Sequence, residues 1–194
     1  MRTPLTRMRL TLAMMDEEEA APLLQDVDEM QSLLDAFLDF ARNASEGTPE
    51  RIDPVALVRQ TVEDARRAGL PVELVACEGE GEMMLRPLDI RRALENLIGN
   101  AVRYGKRAKV SLAMTEKFLR LRVEDDGPGI PSDRRTEAMK PFTRLDPARN
   151  QDRGSGVGLG LAIVADTARA HGGSLRLGQS ERLGGLCADI VIGR

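Results

Sequence analysis

A carboxylate and two glycines follow a segment typical of a β-strand. Apolar and charged residues alternate from Leu119 to Glu124, which predicts a strand with one apolar face. Asp125 comes next, followed by Gly127 and Gly129, whose missing side chains let a backbone approach a ligand closely. A carboxylate at a strand end can accept a hydrogen bond from an exocyclic amine such as that of adenine. An ordinary turn has the same pattern, so this motif alone leaves both interpretations open.

Two asparagines lie four positions apart in a segment typical of a buried helix. Asn96 and Asn100 therefore share one face of the helix predicted over residues 89–104. Because asparagine is a poor helix former, the pair indicates a specific role. A side-chain carbonyl oxygen is a suitable ligand for Mg²⁺, and Arg103, one turn beyond Asn100, could contact a phosphate. Capping or bridging of neighbouring backbone groups is the structural alternative.

Glycines occupy every second position before the last predicted helix, which extends to His171. They are Gly154, Gly156, Gly158 and Gly160. Such a segment offers backbone N–H groups and a helix N-terminus to an anion, but it matches neither the P-loop nor the dinucleotide motif. Together the three motifs predict a nucleotide site, with adenine on Asp125, Mg²⁺ on Asn100 and the phosphates under residues 140–160.

The first 43 residues carry two apolar stripes with the a/d spacing of heptads. The stripe residues are Met1, Leu5, Met8, Leu12 and Met15 in one helix, and Leu23, Val27, Met30, Leu34, Phe37 and Ala41 in the other. An acidic turn ending at Pro22 separates them, which predicts a helical hairpin over residues 1–43. Because a short hairpin cannot bury this seam alone, we expect two copies to form a four-helix bundle. Packing of the hairpin on the larger domain is the alternative.

Residues 44–52 are predicted as a linker and residues 53–194 as one larger domain. In the domain the patterns predict helices over residues 53–69, 89–104 and 156–171, and strands over 72–75, 83–85, 109–114, 118–124, 174–177 and 188–192. Residues 131–155 are polar and weakly periodic, and so long a loop in a domain usually has a function. This order predicts the α+β class, with a two-layer α/β sandwich.

Composition excludes several classes of function. The formal net charge of −3 gives no electrostatic basis for binding nucleic acid. No apolar run is long enough to span a bilayer, so we expect no membrane contact from this chain. Cys77 and Cys187 match no metal or redox spacing and are interpreted as buried thiols in a reducing compartment. A cytoplasmic location is therefore expected.

Four motifs follow one another as in the catalytic part of bacterial sensor histidine kinases, which the chain resembles over nearly its whole length. Residues 95–101 resemble the asparagine box, 125–129 the first glycine box, 141–144 the phenylalanine box of the lid, and 156–164 the second glycine box. Residues 2–7 and 123–130 look most similar to an osmosensor of that family. The resemblance implies the Bergerat-type ATP-binding fold of the GHKL ATPase superfamily, which is shared with gyrase, Hsp90 and MutL.

The resemblance also implies roles for individual residues. Asp125 would take the adenine amino group, and Asn100 would ligate Mg²⁺ with catalytic Asn96 nearby. Arg103 and Tyr104 would contact the phosphates and the base or ribose side. The other implied nucleotide contacts are Gly127, Gly129, Ile130, Phe142, Gly156, Val157, Gly158, Leu159 and Gly160. Arg144, Arg149 and Arg153 are candidates for phosphate contacts, although an arginine-rich lid can also simply be solvated.

The implied protein is a two-component kinase that uses ATP and Mg²⁺ and dimerises through residues 1–43. Its intact form would transfer phosphate to a histidine and then to an aspartate of a response-regulator receiver domain. It would be the cytoplasmic part of an inner-membrane sensor.

The family's acceptor histidine begins the run His-(Asp/Glu)-(Leu/Met)-Arg-Thr-Pro-Leu, and by that alignment it would precede Met1. His171 is interpreted as a helix-end histidine. We therefore expect this chain to bind ATP without autophosphorylating. Thr3 matches the position that supports dephosphorylation of the regulator. The alternatives are a dimeric nucleotide-binding adaptor without phosphotransfer and a simple ATPase, which would need a carboxylate at the position of Asn96.

Overall fold

Residues 48–145 and 158–194 form a mixed five-stranded sheet covered by helices. They belong to one of two compact units in the computed structural model, which describes residues 2–14, 20–28, 30, 31, 34, 48–145 and 158–194. The elements of this larger unit are β1 (Glu50–Ile52), α2 (Pro54–Arg67), β2 (Val72–Glu78), β3 (Met83–Leu85), α3 (Pro87–Tyr104), β4 (Ala108–Met114), β5 (Phe118–Asp125), a 3₁₀ turn (Ser132–Arg134), α4 (Arg135–Ala138), α5 (Gly160–Ala170), β6 (Ser174–Gln179) and β7 (Leu186–Gly193).

The helices begin where the sequence supplies suitable first-turn residues. The Asp53 side chain accepts a hydrogen bond of 2.8 Å from the Val55 N–H and caps α2, and Pro54 occupies the first turn. Pro87 likewise occupies the first turn of α3, which therefore begins two residues before the predicted start at Asp89. Buried residues recur on one face of α3: Asp89, Ile90, Ala93, Leu94, Leu97, Ile98 and Ala101.

The strands are arranged in the order β2-β4-β5-β7-β6. β2 and β4 are parallel and the other neighbours antiparallel, with Ala108 opposite Asp125 and Phe118 opposite Gly193. Buried and half-buried residues alternate along β4, which shows that one face of the sheet is covered. The α+β class is thus confirmed. β1 and β3 form a separate antiparallel pair, so the predicted linker over residues 44–52 includes a strand.

The outer face of the sheet is held by an ion pair between its central strands. Arg122 on β5 and Asp189 on β7 are register partners, with N–O distances of 2.6 and 2.7 Å. The hydrogen bonds to Asp189 raise the pKa of the Arg122 guanidinium above its ordinary value. These two charged side chains can occupy this face because each neutralises the charge of the other and forms hydrogen bonds with it.

The single histidine joins the end of α5 to the beginning of α3. The His171 Nδ1 lies 2.8 Å from the Thr167 carbonyl oxygen, and its Nε2 accepts a hydrogen bond of 3.0 Å from the Arg86 N–H. Because the backbone N–H can only donate, Nε2 is the unprotonated nitrogen and Nδ1 carries the proton. The interpretation of His171 as a helix-end residue is confirmed.

Some predicted boundaries were wrong for local reasons. α5 begins at Gly160 and not at Gly156, since Gly158 has a φ of 75°, outside the helical region. β2 continues to Glu78 through an irregularity in its pairing with β4. The predicted loop over residues 131–155 contains the 3₁₀ turn and α4 within its described part, and residues 146–157 lie outside the described residues.

The smaller unit contains α1 (Arg2–Leu12) and a second helical segment described at residues 20–28, 30, 31 and 34. An ion pair of 3.4 Å joins Arg9 to Asp28. An apolar groove of about 590 Å³ between the two segments includes Met8, Leu12, Leu23 and Val27 from the predicted stripes. The complete hairpin and its bundle stay predictions, because residues 15–19 and 35–47 lie outside the described residues. No helix among the described residues is long and apolar enough to cross a bilayer.

Candidate functional site

The two asparagines of α3 face the first residue of α5. The Asn96 amide nitrogen donates a hydrogen bond of 3.0 Å to the Arg92 carbonyl, so its Oδ1 is directed elsewhere. A Cβ atom at Gly160 would lie 3.3 Å from this Oδ1 and 3.2 Å from the Asn100 Nδ2. Bridging of backbone therefore accounts for the Asn96 nitrogen, while both side-chain amides border the N-terminus of α5.

Asp125 is buried where β5 ends, with a relative exposure of 5%. Its Oδ1 accepts hydrogen bonds from the Gly127 N–H at 2.9 Å and the Leu186 N–H at 3.0 Å. Burial raises the pKa of the carboxyl above its ordinary value of 3.8, although both hydrogen bonds oppose this shift. No residue in the described ranges donates to its Oδ2, which is left as an acceptor.

The turn between β6 and β7 completes this end of the site, and the sequence did not predict its role. Besides the bond from Leu186, the Gly185 N–H donates one of 3.1 Å to the Asp125 carbonyl. A Cβ at Gly185 would collide with Asp125 Oδ1 and would lie 2.6 Å from the Gly127 nitrogen. The doublet Gly184-Gly185 before a strand was the available signal, but it indicates a turn and no partner.

The neighbouring carboxylate, Asp126, has a different role. Its Oδ1 accepts hydrogen bonds from the Lys106 N–H at 2.7 Å and the Arg107 N–H at 3.1 Å. These bonds, with Lys106 contributing most, lower the pKa of Asp126 below its ordinary value. Asp126 therefore fastens the turn after α3 to the end of β5.

The C-terminal end of α3 meets the first glycine turn. A Cβ at Gly127 would lie 2.9 Å from the Tyr104 carbonyl, and one at Gly105 would lie 2.7 Å from Asp126 Oδ1. Arg103 Cζ lies 5.8 Å from the centroid of the half-exposed Tyr104 ring. Glycine is needed at these positions because two backbone segments approach too closely for a side chain.

The described end of the lid contacts the second glycine segment. Phe142 has a φ of 61°, which is unusual for a non-glycine residue, and the residue is 51% exposed. A Cβ at Gly158 would lie 2.8 Å from the Thr143 carbonyl oxygen. The phenylalanine box and the second glycine box therefore meet at Gly158.

Of the other predicted site residues, some are described by the structure and some lie outside its described residues. Leu159 is buried at 3% exposure, and the Ile130 carbonyl accepts a hydrogen bond of 3.1 Å from Arg135 Nε. Gly156, Val157, Arg149 and Arg153 lie outside the described residues, as does the side chain of Thr3.

α3 thus connects two polar ends of one site. Asn96 and Asn100 lie with Gly160 toward one end, and Tyr104 lies with Gly127 and Asp125 at the other. Eight residues of helix separate Asn96 from Tyr104, roughly 12 Å along the axis. The site can therefore offer amide oxygens and a helix N-terminus to an anion or a hard cation, and a carboxylate oxygen to an amine.

Comparisons with known proteins agree with this arrangement. Sensor histidine kinase GtrS from Pseudomonas aeruginosa is 34% identical over 196 residues, covering 100% of this chain and 40% of GtrS. The chain thus spans less than half the length of this relative. The solved histidine kinase domain of the Escherichia coli osmosensor EnvZ is 37% identical, with a TM-score of 0.58, over 77% of this chain and 91% of that domain.

A second solved structure, the ATP binding domain of PrrB from Mycobacterium tuberculosis, has a TM-score of 0.61 at 27% identity. The match covers 75% of this chain and 97% of that domain. The family model described as histidine kinase-, DNA gyrase B- and HSP90-like ATPase matches residues 86–192, which include every described part of the site from Asn96 to Leu186. The resemblance inferred from the four motifs is therefore confirmed, and the chain belongs to the histidine kinase-, DNA gyrase B- and HSP90-like ATPase family.

Proposed function

We propose that this chain is the ATP-binding core of a two-component sensor histidine kinase. The observation that carries the proposal is the C-terminal half of α3, where the asparagine pair lies beside Gly160 and the helix end lies beside the glycine turn that binds buried Asp125. In the intact protein, the γ-phosphoryl group would pass to a histidine and then to an aspartate of a response-regulator receiver domain. The names of GtrS and of the EnvZ and PrrB domains support this proposal.

Asp125 is proposed to recognise adenine. Two backbone N–H groups fix its Oδ1, so Oδ2 points in a defined direction and can accept a hydrogen bond from the exocyclic amine. An amine donor also offsets the unfavourable burial that raises the pKa of this carboxyl. A base with a carbonyl oxygen in place of the amine would put one hydrogen-bond acceptor against another, Asp125 Oδ2, and would therefore bind poorly.

The asparagine end fits a Mg²⁺ ion that accompanies the phosphates. Mg²⁺ prefers oxygen ligands and is commonly held by one or two protein groups together with water and substrate phosphates. Asn100 is the proposed ligand, with Asn96 beside it, and the ion would neutralise phosphate charge. The role of these residues is to hold their amide oxygens in place, which the close approach of Gly160 assists.

The apolar groove of the smaller unit supports a homodimer through residues 1–43. Met8 and Leu23 line this groove and are about half exposed, at 53% and 45%. Association of two copies would remove these side chains from water, at about 25 cal/mol for each Å² of apolar surface buried. Sedimentation of the full chain should show a dimer, and Leu23→Lys should shift it towards the monomer. An unchanged dimer in this variant would contradict the proposed interface.

This chain is proposed to lack a phosphoacceptor among its own residues. It has one histidine, and both ring nitrogens of His171 are engaged with backbone groups. Incubation with labelled ATP should therefore leave no acid-labile phosphate on the purified chain. Phosphohistidine on the chain would contradict this prediction. Phosphotransfer after an acceptor histidine is added upstream of Met1 would favour the kinase over the adaptor. Loss of regulator dephosphorylation in Thr3→Ala would support the role proposed for Thr3.

Calorimetry with ATP and Mg²⁺ tests the nucleotide site through two matched variants. Asp125→Asn keeps Oδ1 as an acceptor for Gly127 and Leu186 but replaces Oδ2 with a donor, so we expect at least tenfold weaker ATP binding, equivalent to about 1.4 kcal/mol. Asp126→Asn keeps its acceptor for Lys106 and Arg107 and should bind ATP almost normally. Equal affinities for the two variants would refute the assignment of Asp125.

A further inference from the structure

Next to Asp125, the structure buries a second carboxyl group that the proposed nucleotide site does not use. Glu124 and Ser180 have relative exposures of 3% and 2%. The Ser180 hydroxyl donates a hydrogen bond of 2.8 Å to Glu124 Oε1. Burial of a carboxyl group is unfavourable unless it is hydrogen-bonded, so this pair marks a specific structural requirement.

Ser180 is the first residue of the turn formed by residues 180–185 and the one that makes most of its hydrogen bonds. Its Oγ also accepts a hydrogen bond of 3.0 Å from the Leu183 N–H. Its carbonyl accepts one of 2.8 Å from the Gly184 N–H, and its N–H donates one of 2.8 Å to the Gly185 carbonyl. The conformation of the whole turn therefore depends on where Glu124 holds Ser180.

The same turn holds Asp125. The Gly185 N–H binds the Asp125 carbonyl, and the Leu186 N–H binds Asp125 Oδ1. Successive side chains of a strand point to opposite faces of the sheet. Glu124 and Asp125 therefore hydrogen-bond to the turn from opposite faces of β5. The connections form a closed path from Glu124 through Ser180 and Gly185 back to Asp125.

We infer that Glu124 and Ser180 are positioning residues that set the direction of Asp125 Oδ2, and with it the preference for a base that carries an exocyclic amine. They do so through the turn of residues 180–185 and not by touching the nucleotide. The inference rests on the proposed recognition of adenine by Asp125. It extends the site to a pair 56 residues apart in sequence that none of the four motifs contains.

The test compares two nucleotides that differ only in the amine. Binding of ATP and of purine riboside 5′-triphosphate, which lacks the exocyclic amine, is measured by calorimetry for the wild-type chain and for Ser180→Ala. We expect the wild type to prefer ATP by about tenfold, and Ser180→Ala to reduce this preference to about threefold or less. Glu124→Gln, which keeps an acceptor for Ser180, should retain the wild-type ratio.

The ratio of the two affinities distinguishes a positioning role from general destabilisation of the protein. General destabilisation would weaken the binding of both nucleotides to the same extent. Thermal unfolding is measured beside each titration, and Glu124→Met supplies an independent variant without the acceptor if Ser180→Ala does not fold. An unchanged ratio in a folded Ser180→Ala or Glu124→Met variant overturns the inference while leaving the proposed function standing. A wild-type chain that binds both nucleotides equally overturns the adenine assignment itself, and the inference falls with it.

Discussion

Replacement of Gly160 by alanine should separate nucleotide binding from stability. The φ angle of Gly160, the first residue of α5, lies outside the positive region, so alanine can adopt its backbone conformation. Alanine in a helix is favoured over glycine by about 0.5–1 kcal/mol. The new Cβ would lie 3.2 Å from Asn100 Nδ2 and 3.3 Å from Asn96 Oδ1, so these amides must move by a few tenths of an ångström.

The two effects on stability nearly cancel, whereas those on binding do not. Displacement of one side chain by about 30° from its rotamer costs about 0.5–1.5 kcal/mol, and the smaller shifts of the two amides should together cost about as much. We therefore expect the free energy of unfolding to change by less than about 1 kcal/mol. The displaced amides would no longer offer the proposed ligand geometry. Loss of one such interaction should weaken binding of ATP with Mg²⁺ by about tenfold, or 1.4 kcal/mol.

Gly99→Ala is the matched control. Gly99 lies within α3, one residue before Asn100, and a Cβ there would meet no atom within 4 Å. We expect this variant to gain about 0.5–1 kcal/mol in urea unfolding and to bind ATP as the wild type does. If Gly160→Ala also bound ATP and Mg²⁺ with wild-type affinity, the contact between α5 and the asparagines would have no part in the site.

Three further predictions concern the described contacts. Gly185→Ala should lower the free energy of unfolding by about 1–3 kcal/mol, since its Cβ collides with Asp125; an undiminished urea midpoint would contradict the close approach. His171→Phe should lose about 1 kcal/mol through the unpaired Arg86 N–H, and His171→Gln, which offers an acceptor, should recover part of it; equal urea midpoints would argue against this bond. Asp125→Asn should be more stable than the wild type at pH 7, because a raised folded-state pKa means that stability declines as pH rises from about 3.8 through that pKa; parallel pH profiles of unfolding would exclude this cause.

Features that depend on neighbours in sequence could be predicted. Alternation along residues 118–124 and 109–114 predicted two strands that are indeed paired, and the 3.6-residue period predicted the buried face of α3. The spacing of Asn96 and Asn100 predicted that they share a helix face. That the asparagines share a site with the glycine segment 60 or more residues away was predicted from the three motifs together, whereas the close approach of Gly160 itself came from the structure.

Features made by backbone atoms of distant segments could not be predicted. The bonds from Gly185 and Leu186 to Asp125 use N–H groups that every non-proline residue has, so no side-chain pattern marks them. The two adjacent carboxylates, Asp125 and Asp126, look alike in sequence, yet one is buried with a raised pKa and the other fastens a turn with a lowered pKa. The two carboxylates can be distinguished only from the burial and hydrogen-bond partners that the folded structure gives them.

The position of β7 has a consequence for how the domain is made. This strand is the last of the five-stranded sheet in sequence, but it lies inside the sheet between β5 and β6. During synthesis, the edge of β5 therefore stays without its partner until residues 186–193 have left the ribosome. An unpaired edge can pair with other chains, so this domain should depend on chaperones more than one whose sheet closes in sequence order.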